Sequence, residues 1–334
     1  MIGSLRTFVA FIVIFIATAY YANAQTRRVV IGYSSLSSNQ TPIWVGKEEG
    51  FFKKFGLDVD LILIEGGTRG AQALISGDLP FMAMSGQPVI SARARGADLV
   101  LIGGVVNRMN YILATKPNIK RPEDLKGKRI GATQVGSSSY HAVMLSLKHW
   151  GLDPRRDGIT ILQVGTQAAR VGSLQAGGSD AAILNPGLSS TMTDKGFNIL
   201  ADFSDLPIPY PHQVLGTRER LLKGDPALVE SLLKGFTAAT AFSLDPRNKE
   251  KVKATLAKYL RLERTDRAAE EQYQSAFKVM PRKPYVELAG ISSMIEFMTD
   301  TDPLVAKVKP EEVVRNEALK KLDDSGWIDQ LYRR

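Results

Sequence analysis

Apolar positions in this chain follow two alternating rhythms. Arg28–Tyr33, Leu57–Ile64, Pro80–Met84 and Leu99–Val106 are short apolar runs, partly β-branched, the pattern of buried strands. Stretches with helical spacing lie between them. Thr41-Pro42 sets a hydroxyl cap before a proline at the first helical position, and predicts a helix that runs to about Glu49 and stops at Gly50. Ala71–Ser76 and Val89–Arg95 predict shorter helices. Strand and helix in alternation predict parallel α/β winding.

A second set repeats the rhythm. Tyr111–Thr115, Arg129–Ala132, Ile159–Val164, Ala181–Leu184 and Asn198–Asp202 are its strand candidates. Its clearest helix runs from about Ser138 to Trp150, where Tyr140, Val143, Met144, Leu147 and Trp150 share one stripe before the stop at Gly151. From Pro226 onward the pattern turns helical, at Ala227–Leu244, Lys249–Tyr259, Arg267–Phe277 and Val286–Thr299. One internal echo ties the halves together. Leu74 and Leu174 each precede a glycine stop, an aspartate and an apolar run, although a short α/β unit can produce that pattern by itself.

Composition narrows the classes. The 334 residues are 44% hydrophobic and 23% charged, which is globular material sufficient for one large or two medium cores. Cysteine is absent, which excludes disulfides, thiolate metal sites and cysteine nucleophiles. The net charge is +9 and stays +8 without residues 1–24, which hold Arg6 and no acid. The excess is spread along the chain with no recognition motif, so nucleic acid is not an expected partner. Residues 1–24 read as a signal peptide: Arg6 first, an apolar core from Phe8 to Ala19, then Ala22-Asn23-Ala24 as the cleavage pattern. The apolar core is shorter than the ~20 residues a membrane span needs. A periplasmic mature chain beginning at Gln25 is expected.

The segments PIWVGKEEGFFKKFGLDVDLILIEGGTRGAQALISGDLPFMAMS and EDLKGKRIGATQVGSSSYHAVMLSLKHWGLDP resemble the two lobe signatures of ABC-transporter solute-binding proteins of the nitrate/sulfonate/taurine class, within the thiamine-pyrimidine-synthase-like superfamily. The resemblance runs in order over residues 28–245. It implies an α/β, two-lobe periplasmic-binding-protein fold (type II, Venus-flytrap) with a mostly helical C-terminal segment. Lobe 1 is expected at residues 25–108 plus 215–334 and lobe 2 at 109–214, with crossings near Asn107–Tyr111 and His212–Gly216. It also implies a small-molecule ligand in the cleft and a membrane permease of the importer as partner, with a monomer as the expected state.

Ligand is expected at the carboxyl ends of the strands. Ser35 and Leu36 follow the first strand, in a loop whose hydroxyls could instead cap the next helix. Gly67 and Thr68 follow the second, where a plain turn is the alternative, and Ser85 and Gln87 follow the third. In lobe 2, Gly136, Ser137, Ser138 and Ser139 open the clearest helix, where unpaired N–H groups and the helix dipole suit an anion. Asn185 forms a cleft lip, and Tyr210 and His212 lie at the returning crossing. Trp44 reads as core. Only Arg69 and Arg108 stand near these loops as cations, which argues against a multiply charged ligand.

Catalysis, metal and cofactor are not expected. Related enzymes of this superfamily use cysteine chemistry that this chain lacks. His141 and His149 are eight apart, which is not a metal-ligand spacing, and no catalytic motif accompanies them. The alternative is an enzyme of the same fold acting on a small heterocycle or aromatic substrate. The ligand class stays open between sulfonate, nitrate-like anion, carboxylate and small heterocycle.

Overall fold

A computed structural model describes residues 26–206, 208–262 and 267–333. The expected signal peptide at 1–24 lies outside the described residues. Two five-stranded sheets organise the chain. The first has strand order β2-β1-β3-β10-β4, from β1 (Arg27–Tyr33), β2 (Leu57–Leu63), β3 (Phe81–Met84), β4 (Leu99–Arg108) and β10 (Pro209–Arg218). The second has order β7-β6-β8-β5-β9, from β5 (Ile112–Thr115), β6 (Arg129–Ala132), β7 (Thr160–Gln163), β8 (Ala181–Leu184) and β9 (Asn198–Asp202). β1 runs parallel to β2 and β3, and β6 runs parallel to β7 and β8. β10 and β5 are antiparallel to their neighbours. This is the two-lobe α/β arrangement that the alternating pattern predicts.

Burial follows strand position. Central β3 and β8 are buried along their whole length, as expected for strands covered on both faces. Edge strand β2 alternates and β7 is half-exposed. Crossover helices cover the sheets: α1 (Thr41–Glu48), α2 (Gly67–Ser76) and α3 (Gln87–Ala94) in the first lobe, α4 (Ser138–His149) and α5 (Gln167–Gln175) in the second. The C-terminal segment supplies α6 (Pro226–Leu244), α7 (Lys249–Leu260), α8 (Arg267–Val279) and α9 (Leu288–Thr299). Trp44 is fully buried and stacks on Tyr259 at 4.8 Å, so it belongs to the core. The echo of the two leucines is structural: Leu74 and Leu174 are both buried, before Gly77 and Gly177 in left-handed backbone.

One boundary differs from the expectation. β10 belongs to the first sheet from Pro209 onward, and Pro209 sits opposite Arg108. His212–Gly216, expected near the returning crossing, thus lies within a strand of the first sheet. A strand is hidden there because Tyr210, His212 and Gln213 are polar yet buried. Thr41 is likewise inside α1 rather than its cap. A 3₁₀ turn at Ser38–Gln40 precedes it, capped by Ser37.

Gly104 of β4 marks the tightest junction between a sheet and the C-terminal segment. Its N–H donates to Pro284 O at 2.7 Å, and a Cβ there would overlap the Tyr285 carbonyl and lie 2.9 Å from Asn107 Oδ1. Backbone cannot yield as a side-chain tip can, so Gly104→Ala is expected to destabilise the protein by about 1–3 kcal/mol. Urea denaturation of the variant checks this through a lower midpoint at unchanged slope.

Candidate functional site

Parallel winding sends the loops after β1, β2 and β3 and the loops after β6, β7 and β8 to the carboxyl edges of their sheets. These edges face one another, because hydrogen bonds connect their loops directly. Asn185 Nδ2 donates to Leu36 O at 3.2 Å, and Gln134 Nε2 donates to Thr68 Oγ1 at 3.4 Å. Asn185, Leu36 and Thr68 are thus brought together across the lobes as a rim.

Beneath the rim the polar side chains form a continuous network. Gln87, at the start of α3, donates from Nε2 to the Tyr210 hydroxyl. That hydroxyl donates to Ser138 O at 3.2 Å, and Ser138 Oγ bonds the Tyr111 hydroxyl at 2.6 Å. The Tyr111 ring packs on His212 at 4.4 Å, and His212 Nδ1 accepts from Asn110 N at 3.1 Å. Asn110 Nδ2 in turn donates to Asn39 Oδ1 at 2.5 Å. Elements of both lobes are joined through groups that are almost all buried. Several buried polar atoms here have no hydrogen-bond partner among the described residues: Ser38 Oγ, Gln40 Nε2, Gln87 Oε1 and Arg170 Nε. Each such atom costs about 1–3 kcal/mol if left unsatisfied, so a cluster of them calls for an explanation.

The serines of the α4 start divide their tasks. Ser137 is the N-cap, with its Oγ accepting from Tyr140 N at 3.3 Å. Ser139 Oγ accepts from Thr133 N at 2.9 Å and donates to Thr133 Oγ1 at 2.9 Å, which braces the helix against the end of β6. Ser138 points to Tyr111. Gly136 has φ +76° and open space around it, so it makes a turn. Gly67 lies against Pro88 and Ser85, where a Cβ would come within 3.2 Å of Ser85 Oγ. Ser35 is half-buried in the loop after β1. Arg69 and Arg108 are exposed.

The residue that the sequence pattern did not single out is Arg170. It sits in the first turns of α5, after the carboxyl end of β7, and is only 4% exposed. Its Nη1 donates to Thr133 Oγ1 at 3.0 Å. It forms no ion pair with any described carboxylate, and its Nε is unpartnered. Burial lowers its affinity for the proton, while nearby Tyr111 and Glu65 pull the other way; a guanidinium still stays charged. The available signal was a stretch without acids: none occurs from Gly158 to Ser179, so no partner on its own helix could neutralise it.

The match to known proteins agrees with this architecture. The NMT1/THI5-like family model covers residues 37–249. The chain belongs to the NMT1/THI5-like family. This family member is 29% identical over 170 residues to the taurine-binding periplasmic protein of Escherichia coli (strain K12), covering 50% of the chain and 51% of the relative. It spans about half the length of the curated relatives it matches. A structure from Bordetella bronchiseptica RB50 shares its fold with TM-score 0.76 at 20% identity, over 90% of this chain and 98% of that one. The alkanesulfonate-binding protein SsuA from Xanthomonas axonopodis pv. citri, solved bound to MOPS, gives TM-score 0.70 at 22% identity, over 86% and 98%.

Two buried histidines of this NMT1/THI5-like chain, one of them in the network, are held neutral. Burial pushes His212 down to about 3 and His141 down to about 4 from an ordinary 6.5. His212 must also keep Nδ1 unprotonated to accept from Asn110. Burial raises the Tyr111 and Tyr210 hydroxyls. No group of three or more His, Asp or Glu suited to a metal occurs among the described residues.

The histidines set a pH dependence whose sign follows from their depressed folded values. The unfolded chain takes up protons first, so their contribution is complete above about 6.5 and is lost as pH falls toward 4 and then 3. Melting temperature is expected to decline between pH 7 and pH 5, above the range where ordinary carboxylates titrate. His212→Asn, which can still accept from Asn110 N, should flatten that decline. An identical slope in the variant would contradict the assignment.

Proposed function

We propose that this chain is the solute-binding component of an ABC-type importer, and that it closes on a small molecule between its lobes. The observation that carries this is the set of buried polar groups on facing strand ends, several of them without a protein partner. A solute with complementary groups would satisfy them. The names of two relatives, a taurine-binding and a putative aliphatic sulfonates-binding protein, support a small organic anion, while a third, a formylaminopyrimidine-binding protein, keeps a small heterocycle as the second reading. They also support a periplasmic location and a membrane permease as partner. A removable signal peptide ending at Ala24 fits that location. We take the lobes to divide near Asn110 and again just before Pro209, with the two crossings side by side as the hinge. Candidate ligand contacts are Ser85, Gln87, Ser138, Ser139, Tyr210 and His212, with Leu36, Thr68 and Asn185 as the closing rim.

Relatives are named as binding proteins, and the site lacks a nucleophile poised beside a base. His212 is spent on the Asn110 N–H and on ring contacts, and His141 packs against the Phe297 ring with its Nδ1 unpartnered. Binding without turnover is therefore the activity proposed.

Closure provides the test. A ligand that touches both lobes favours the closed population, so a compound found by thermal shift should lower the radius of gyration in solution scattering. A confirmed ligand that leaves the radius unchanged would sink the proposal.

The serines provide a finer test. Ser137→Ala should cost about 1 kcal/mol of stability through loss of the cap, with affinity nearly unchanged. Ser138→Ala should weaken affinity by about 1–3 kcal/mol if its hydroxyl serves a charged ligand group. Calorimetric titration alongside thermal melts of each variant separates the two effects; equal affinities in both variants would remove Ser138 from the site.

A further inference from the structure

We infer that Arg170, together with Thr133 and the first turn of α4, forms the seat for a single monovalent anionic group of the ligand. This deepens the proposed function and rests on it. The side chain is buried, its Nε lacks a partner, and no described carboxylate pairs with it. A charge in that position requires a counter-charge or a strong reason to be there. Its neighbours define the seat. Arg170 Nη1 is tied to Thr133 Oγ1, which is tied to Ser139 Oγ, which lies 3.0 Å from the cap Ser137 Oγ. The guanidinium is thus fixed beside the end of a twelve-residue helix, whose first N–H groups carry partial positive charge. Arg donates in a planar fork, which suits a carboxylate, sulfonate or nitrate group.

The valency follows from the remaining groups. His141 and His212 are neutral, and the other buried partners are hydroxyls and amides: Ser38, Asn39, Gln40, Gln87, Asn110 and Gln213. One full positive charge faces the ligand, so one negative charge is matched and a second is not. Glu65, exposed in the loop after β2, is the acid whose charge reaches Arg170. It repels an anion on the seat, and it also disfavours a dianion. The amide and hydroxyl groups of lobe 1 leave Gln40 Nε2 and Gln87 Oε1 for a neutral polar part of the same ligand.

Two variants and a small set of probes test this. Methanesulfonate, benzoate and nitrate serve as monoanions, sulfate and succinate as dianions, and benzamide as a neutral control. In the wild type at neutral pH, a monoanion is expected to raise the melting temperature more than any dianion or the neutral control. Arg170→Gln should abolish that rise while melting, without probe, at or above the wild-type temperature, because an uncompensated charge has been removed. Glu65→Gln should strengthen monoanion binding several-fold. Arg170 as a purely structural residue predicts the reverse: the Gln variant melts lower and keeps its probe response. That result would overturn the inference, as would a preference for dianions. If no probe shifts the wild type, the probe-free melts decide: a lower melting temperature in Arg170→Gln counts against the seat, and an equal or higher one counts for it. A neutral solute that raises the wild-type melting temperature more than any monoanion, and raises it equally in Arg170→Gln, would sink the anion seat and leave the solute-binding function standing.

Discussion

An arginine taken out of water without a carboxylate partner is the constraint around which this molecule's cleft is arranged. Desolvating an ion costs several kcal/mol even after relaxation, and a single neutral hydrogen bond to Thr133 does not offset that. Natural chains keep such a group where function requires it, at some expense in stability. The hydroxyls near it are committed to one another: Ser139 braces Thr133, Ser137 caps α4, and Ser138 meets Tyr111. This leaves the guanidinium edge, the helix N–H groups and, where Tyr111 donates to it, the Ser138 hydroxyl as the donors still open.

The fold explains why these groups meet. Parallel strands deliver their following loops to one edge, and each sheet contributes three such loops to the cleft. The start of β10 and the stretch between β4 and β5 run side by side, and they hold Tyr210, His212, Gln213, Asn110 and Tyr111 buried together. One apolar cluster extends through both lobes, from Leu74 and Met84 through Tyr111 and Tyr210 to Ile130 and Ile183. The lobes are therefore linked by packing at the base and by isolated hydrogen bonds at the rim. Such a division permits hinge motion, because the two rim bonds, one exposed and one part-buried, are exchanged for bonds to water more cheaply than the base is unpacked.

Most of the architecture was legible in the sequence because buried parallel strands read as unbroken apolar runs. β1 to β9 lie within a few residues of where those runs predict them, and α4 begins at Ser138 as its stripe predicts. β10 was not legible. Its first half is Pro-Tyr-Pro-His-Gln, whose burial comes from tertiary hydrogen bonds rather than from apolar character. The site was legible in part. A loop after a strand pointed to Gln87, a helix start to Ser138 and the expected crossing to Tyr210 and His212, and hydrogen bonds and ring contacts join these four in one network. Arg170 was missed because a lone Arg on an amphipathic helix reads as a solvated charge. Only the missing acids around it hinted otherwise.

The most direct test is a crystal structure with an organic monoanion bound. The account predicts closed lobes and an anionic group within hydrogen-bonding distance of Arg170 Nε and of the Ser138 or Ser139 N–H. An anionic group bound elsewhere in the cleft, with Arg170 paired to Glu65 instead, would contradict it.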